Sequence, residues 1–198
     1  MQARELNIQG AYVFTPDIHR DARGFFVSPL LDSALTEAVG HSMFPVRQMS
    51  LSQSRRGVVR GVHYTRTPPG NGKFVHCPAG RVVDYIVDLR VGSPTFGNWD
   101  SVVLDRETCR SIYLPVGLGH AFAALRDDTV VSYMLTVEYV PENELAVSIL
   151  DPELGIELPA EIEPQLSERD TAAESVAAAK AAGRLPDYAE CRAIDATF

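Results

Sequence analysis

Val82-Val83-Asp84-Tyr85-Ile86-Val87-Asp88-Leu89 is the stretch on which the fold turns. It is short, rich in β-branched and aromatic residues, and bounded by Gly80 and by Gly92-Ser93-Pro94, so it reads as a buried strand. Alternation puts Asp84 and Asp88 on one face and Val83, Tyr85 and Val87 on the other. Two carboxylates on so apolar a strand imply either a polar cavity or a structural hydrogen-bond network.

The same texture extends outward from this strand, from Phe44 to about Ser148. Short runs at Val46–Ser52, Val58–Tyr64, Phe74–Cys77, Ser101–Leu104, Ser111–Leu114, His120–Ala124 and Val130–Leu135 alternate with turn signals such as Pro68-Pro69-Gly70-Asn71-Gly72 and Asp127-Asp128. No helix-length segment separates them, which argues against a parallel α/β sheet and for an all-β sandwich, jelly roll or barrel with its core at about residues 44–150.

Residues 1–20 read as extended, broken at Pro16. Leu30–Val39 reads as a short helix, with Ser28 placed to cap its start and Gly40 its end. A C-terminal helical tail is expected over about 165–190, its helix running from Thr171 to Ala182 and stopping at Gly183 and Pro186. The last residues, Cys191 to Phe198, are expected to be loosely held.

The 198 residues fit a single domain, residues 1–198, large enough to bury a core without staples. The 18 basic and 26 acidic residues give a net charge of −8, which disfavours general electrostatic attachment to nucleic acid. A local basic pocket for one small anion remains compatible with that balance. Three cysteines with no C-x-x-C spacing read as reduced thiols of a cytoplasmic protein. The first residues carry no apolar signal-peptide core, and no apolar run approaches the roughly 18 residues a membrane helix requires.

Chemistry centres on two histidines in apolar strand segments, His63 in Val58–Tyr64 and His120 in Leu114–Phe122. Each needs a polar partner if buried. Arg60 and His63 differ by three positions, so a regular strand would aim them at opposite faces. They share a site only if the backbone bulges, and Gly61 is where it could.

The segment Pro115-x-Gly117-x-x-His120 resembles the second half of the cupin signature, whose histidine often binds a metal. The region that would supply the other ligands offers His63-Tyr64-Thr65 and no glutamate from Arg66 to Phe74, short of the three or four ligands a first-row metal takes. A cupin-type barrel without a metal is the expectation.

Further strings then fall in order: Asp21-Ala22-Arg23-Gly24-Phe25-Phe26, Arg60-Gly61-Val62-His63-Tyr64, Gly72-Lys73-Phe74-Val75, Asp88-Leu89-Arg90-Val91-Gly92-Ser93-Pro94-Thr95-Phe96-Gly97 and Ser167-Glu168-Arg169-Asp170. Together they resemble the dTDP-4-dehydrorhamnose 3,5-epimerase family over roughly residues 5–188. Tyr64-Thr65-Arg66-Thr67-Pro68-Pro69-Gly70 and Ser132-Tyr133-Met134-Leu135 resemble in particular the deoxysugar epimerases of antibiotic pathways, including the 5-epimerases of vancosamine-type branches.

That resemblance implies a jelly-roll homodimer with no metal or nucleotide cofactor, acting on a dTDP-linked 4-keto-deoxysugar. It implies His63 as base, Asp170 as its carboxylate partner, Lys73 as the cation beside the enolate oxygen, and Tyr133 as proton donor on the opposite face. Arg23, Arg60 and Arg169 match nucleotide- or diphosphate-contacting positions, Tyr139 a ring that stacks on the base, and Gln48, His120 and Glu144 further ligand contacts. The chain departs from the family pattern at Ser28, at Ser50 where asparagine is usual, and at Leu158-Pro159. The first two bear on the substrate. Inversion at C5, at C3, or at both occurs on this scaffold. A ketoisomerase on the same barrel and a non-catalytic sugar-nucleotide binder are the competing readings, and retention of Lys73 and Tyr133 argues against the former. The His63–Asp170 pair argues against the latter.

Overall fold

A computed structural model describes all 198 residues. Its strands are β1 (Gln2–Glu5), β2 (Tyr12–Thr15), β3 (Ile18–Asp21), β4 (Gly24–Val27), β5 (Gln48–Ser54), β6 (Val59–Thr65), β7 (Lys73–Ala79), β8 (Arg81–Asp88), β9 (Trp99–Asp105), β10 (Ser111–Leu114), β11 (Leu118–Ala124), β12 (Thr129–Leu135) and β13 (Glu144–Ala146). Four short helices accompany them: α1 (Asp32–Val39), α2 (Glu168–Thr171), α3 (Val176–Ala181) and α4 (Tyr188–Asp195).

A six-stranded sheet runs β1-β2-β10-β7-β12-β5 and a five-stranded sheet runs β13-β6-β11-β8-β9. The ladders between these strands are antiparallel. The two sheets face each other across a shared interior, as in the cupin-like jelly roll expected from the sequence. β3 and β4 form a separate hairpin outside both sheets; sequence reading had residues 1–20 as extended and did not identify this hairpin.

Three apolar clusters hold these layers. Alternate residues of both sheets, including Val75, Ile86, Ile112, Phe122 and Val131, fill the interior. The opposite residues of the five-stranded sheet, including Tyr85, Val87 and Ala121, are covered by Leu154, Ile162, Val176 and Ala179. Outside the six-stranded sheet, Phe74 and Tyr113 pack under Leu35 of α1 and Phe44. β8 is therefore buried on both faces, which explains its nearly continuous apolar texture.

Both readings of its two aspartates apply, one to each residue. Asp84 stands behind a polar cavity, fully buried and bonded to His120, which lines it. Asp88 is the hub of a structural network, accepting from Arg90, Ser93 Oγ and Thr95 Oγ1 at 2.6–2.9 Å. Those bonds use the Arg-Val-Gly-Ser-Pro-Thr string to shape the β8–β9 turn.

Three local expectations are corrected. Helix α1 starts at Asp32, not Leu30, and Ser28 does not cap it; the N-cap position is Leu31, with no side-chain bond. Its end is as expected, with Gly40 left-handed at φ 93° and its N–H on Thr36 O. The helix expected over Thr171–Ala182 is divided, because residues 172–174 leave the helical path: Glu174 bridges Val147, and Ser175 caps a new helix by accepting from Ala178 N at 3.1 Å. The C-terminus is anchored rather than loose. Asp187 caps α4, Cys191 is fully buried, Asp195 Oδ1 accepts from Val116 N at 3.0 Å, and Phe198 packs 5.8 Å from Phe44.

The bulge anticipated at Gly61 is present. β6 pairs with β11 through His63↔His120 and Arg60↔Phe122, so β6 carries one extra residue and both side chains turn inward. Gly61 has φ 110°, and a Cβ there would lie 2.4 Å from the backbone oxygen of His120. Gly61→Ala is expected to lower stability by at least about 2 kcal/mol, read from urea unfolding midpoints. A loss below about 0.5 kcal/mol would mean that the two strands simply move apart.

Candidate active site

The interior opens at one end into a cavity of about 210 Å³. Eight of the residues singled out from the sequence line it: Gln48, Arg60, His63, Lys73, His120, Tyr133, Tyr139 and Glu144. They come from both sheets. His63 and His120 stand on β6 and β11 of one sheet, Lys73 and Tyr133 on β7 and β12 of the other.

His63 is bound to Asp170, with Nε2 and Oδ1 2.6 Å apart. An acceptor on Nε2 fixes the proton there and leaves the Nδ1 lone pair free. Asp170 sits in α2, which Ser167 caps; Asp170 N donates to Ser167 Oγ at 3.1 Å and Ser167 Oγ donates to Asp170 Oδ2 at 2.9 Å. Burial alone would raise the carboxyl. The bond to His63, the attraction to that ring whenever it carries a second proton, the Ser167 hydroxyl and the nearby Gly61 N–H outweigh it and hold Asp170 below the usual carboxylate range.

His120 makes a second, fully enclosed pair, its Nε2 2.9 Å from both oxygens of Asp84. Burial pushes the Asp84 carboxyl up, against the pull of His120 and Lys73. Tyr133 lies edge-on to His120, ring centroids 5.8 Å apart, and its Oη is 3.0 Å from Ser52 Oγ. Burial raises its phenol, so it carries its proton at neutral pH.

Lys73 is 7% exposed, and its ammonium has charged neighbours but no hydrogen-bond partner in the chain. Burial pulls its pKa down; Glu144 and Asp84 pull it back toward the charged form. A buried donor left free in this way suits an oxygen that gains negative charge.

The rim is polar. Arg60 Nε donates to Ser54 Oγ at 3.1 Å and its Nη2 to Gln53 O at 3.2 Å. Gln48 donates from Nε2 to Ser50 Oγ and accepts from Tyr139 N, each at 2.7 Å. Glu144 accepts from Thr65 Oγ1 at 3.0 Å, and Arg169 donates to the Glu144 backbone oxygen at 3.0 Å. Arg169 thus stands beside the mouth, and Asp170 behind His63.

Arg23 is the exception. It sits in the β3–β4 turn, with its side chain 91% exposed and paired with Asp21 at 2.5 Å, and it does not reach this chain's cavity. Sequence reading did not place Asn71, Phe122 and Leu135 in the lining. Asn71 gave no periodic signal, since it lies in a Gly-rich turn. No group of three or more His, Cys, Asp or Glu side chains is arranged to hold a metal ion. Half-buried His63 and buried His120 are each bonded to one carboxylate.

A barrel interior with a carboxylate-backed imidazole facing a free ammonium and a protonated phenol has the parts of a proton-transfer catalyst. The chain belongs to the dTDP-4-dehydrorhamnose 3,5-epimerase family, whose model matches residues 5–178. A dTDP-4-dehydrorhamnose 3,5-epimerase from Mycolicibacterium smegmatis is 49% identical over 198 residues, covering 100% of this chain and 97% of the relative. Among solved structures, NovW, a 4-keto-6-deoxy sugar epimerase from the novobiocin gene cluster of Streptomyces spheroides, superposes with a TM-score of 0.92 at 43% identity, covering 96% and 95% of the two chains. ChmJ, a 3'-monoepimerase from Streptomyces bikiniensis in complex with dTDP-quinovose, gives 0.91 at 42% identity, covering 97% and 96%.

The electrostatics of Lys73 make a stability prediction. Lys73→Met removes a buried charge that lacks a hydrogen-bond partner, so the variant is expected to be more stable by about 1–2 kcal/mol, a rise of roughly 3–6 °C in Tm. A variant that melts below the parent would show the ammonium to be a structural tie to Asp84 and Glu144.

Proposed function

We propose that this chain is a cofactor-independent epimerase of a dTDP-4-keto-6-deoxyhexose in deoxysugar or antibiotic biosynthesis. The whole chain, residues 1–198, would act as one catalytic domain. The observation that carries this reading is the opposition of His63 and Tyr133 on facing sheets, with the free Lys73 ammonium beside Tyr133's strand.

A C–H beside a ketone is weakly acidic, so its removal needs a base and a place for the resulting charge. His63 Nδ1 takes the proton from carbon, and Asp170 supports the imidazolium that forms. The electron pair moves to the 4-oxygen, where Lys73 stabilises the enolate, with His120 nearby. Tyr133 then returns a proton to the opposite face of the same carbon, which inverts the centre. Solvent reprotonates Tyr133 and receives the proton from His63.

Arg60 and Arg169 supply charge for the diphosphate, and Tyr139, 57% exposed at the mouth, offers a ring to the base. Gln48 and Glu144 complete the binding side. The carbon inverted is C5, or C3 and C5. Inversion at C3 alone is the second reading, favoured by the likeness to the 3'-monoepimerase ChmJ.

Two further points belong to the same reading. A homodimer accounts for Arg23: the β3–β4 hairpin stands off the barrel and exposes 70% of Phe26, while Met49 and Leu51 on edge strand β5 are 59% and 65% exposed. A second copy covering these residues would bring Arg23 to a neighbouring cavity, and light scattering would then give twice the chain mass rather than the chain mass. A cytoplasmic location belongs to the same proposal and is supported by the three free cysteines. No helix is long and apolar enough to cross a membrane.

The test is proton NMR of dTDP-4-keto-6-deoxyglucose with the protein in D2O. Loss of the C5 signal, alone or with C3, is the expected result, and loss of C3 alone selects the second reading. Silence at both positions, repeated with 2-deoxy and 3-amino analogues, would end the epimerase assignment.

A further inference from the structure

Strand β5 carries Gln48, Ser50, Ser52 and Ser54 on one side and the more exposed Met49, Leu51 and Gln53 on the other. It is an edge strand of the six-stranded sheet and pairs only with β12, the strand of Tyr133. Its three inward serines each bind a different side chain of the cavity. Ser50 accepts from Gln48, whose amide also holds Tyr139 N. Ser54 accepts from Arg60. Ser52 Oγ lies 3.0 Å from Tyr133 Oη.

The middle bond bears on the chemistry. The phenol is enclosed between His120, which it meets edge-on, and β5. Ser52 is its one hydrogen-bonding neighbour in the chain. A serine hydroxyl can donate or accept. If Tyr133 donated to Ser52, the proton needed at carbon would point into the wall of the barrel. If Ser52 donates to Tyr133, the phenolic proton is free to face the cavity.

We propose that Ser52 is the positioning residue for the proton donor: it donates its hydroxyl hydrogen to Tyr133 Oη, aims the phenolic proton at the sugar, and holds the phenolate once that proton has gone. The inference rests on the epimerase reading above and adds a residue that sets the fate of the enolate. The step balances. The enolate electron pair forms the new C–H bond with the phenolic proton, the O–H pair stays on Tyr133 as phenolate, and Ser52 keeps its own proton in the hydrogen bond. Solvent later restores the phenol.

Proton removal by His63 does not need this bond, since His63 stands on the other sheet. Inversion does. Ser52→Ala should therefore separate two readouts that a merely structural loss would move together. Hydrogen exchange from substrate into D2O by return to the original face should stay within about twofold of the parent, while formation of inverted product falls at least about tenfold. Ser52→Thr, which keeps the hydroxyl on a strand that tolerates β-branching, should restore inversion to within about threefold. Adding Ser52→Ala to Tyr133→Phe should cost nothing further, because the partner hydroxyl is already absent.

Three results would overturn the proposal: parental inversion by Ser52→Ala, equal loss of exchange and inversion in a variant that melts like the parent, or a full additional loss in the double variant. The failure of the underlying reading looks different. In that case Tyr133→Phe itself would invert at the parental rate, or the parent would exchange no hydrogen at all.

Discussion

The close approach of Gly61 to β11 is the contact on which the cavity depends. Where a side chain would lie 2.4 Å from the His120 carbonyl, glycine alone lets the strands pair with an extra residue in β6. That residue changes the phase of the strand. Arg60 and His63, three positions apart, then face the same cavity. The nearby Gly61 N–H also helps hold Asp170 below the usual carboxylate range, so one position sets the direction of the imidazole and favours the charge behind it.

Around this bulge the barrel holds a set of groups that burial disfavours. Asp84 and Asp170 are carboxylates at 0% and 3% exposure, Lys73 is an ammonium at 7%, and Tyr133 is a phenol raised by burial. The carboxylates are matched one to one with histidines. The ammonium and the phenol's outward edge are left for a ligand. Apolar packing on three levels offsets the cost, inside the barrel and outside each sheet. The C-terminal segment belongs to that packing, which is why Cys191 and Asp195 are buried instead of trailing away.

The sequence made the barrel legible because its strands are short, apolar and punctuated by glycine and proline. Period-2 alternation put Asp84 and Asp88 on one face, and the three-residue step from Arg60 to His63 let them share a site only through a bulge. Reading failed where structure follows from distant pairing. The division at residues 172–174 comes from the Glu174–Val147 bridge, which no local propensity encodes. The separate β3–β4 hairpin and the isolation of Arg23 reflect topology beyond the reach of local pattern. The serines at 50, 52 and 54 did carry a period-2 signal, but serine is so common at turns and surfaces that spacing alone assigns it no partner.

With His63 as the proposed base and Tyr133 as the proposed acid on opposing sheets, and Lys73 near Tyr133, the two define a plane in which a sugar ring should lie. The most direct test is a crystal structure with an unreactive nucleotide sugar bearing a 4-hydroxyl in place of the ketone. The account predicts the 4-oxygen at hydrogen-bond distance from Lys73 Nζ, with His63 Nδ1 and Tyr133 Oη on opposite faces of the ring. A 4-oxygen turned away from Lys73, or His63 and Tyr133 on the same face, would contradict it.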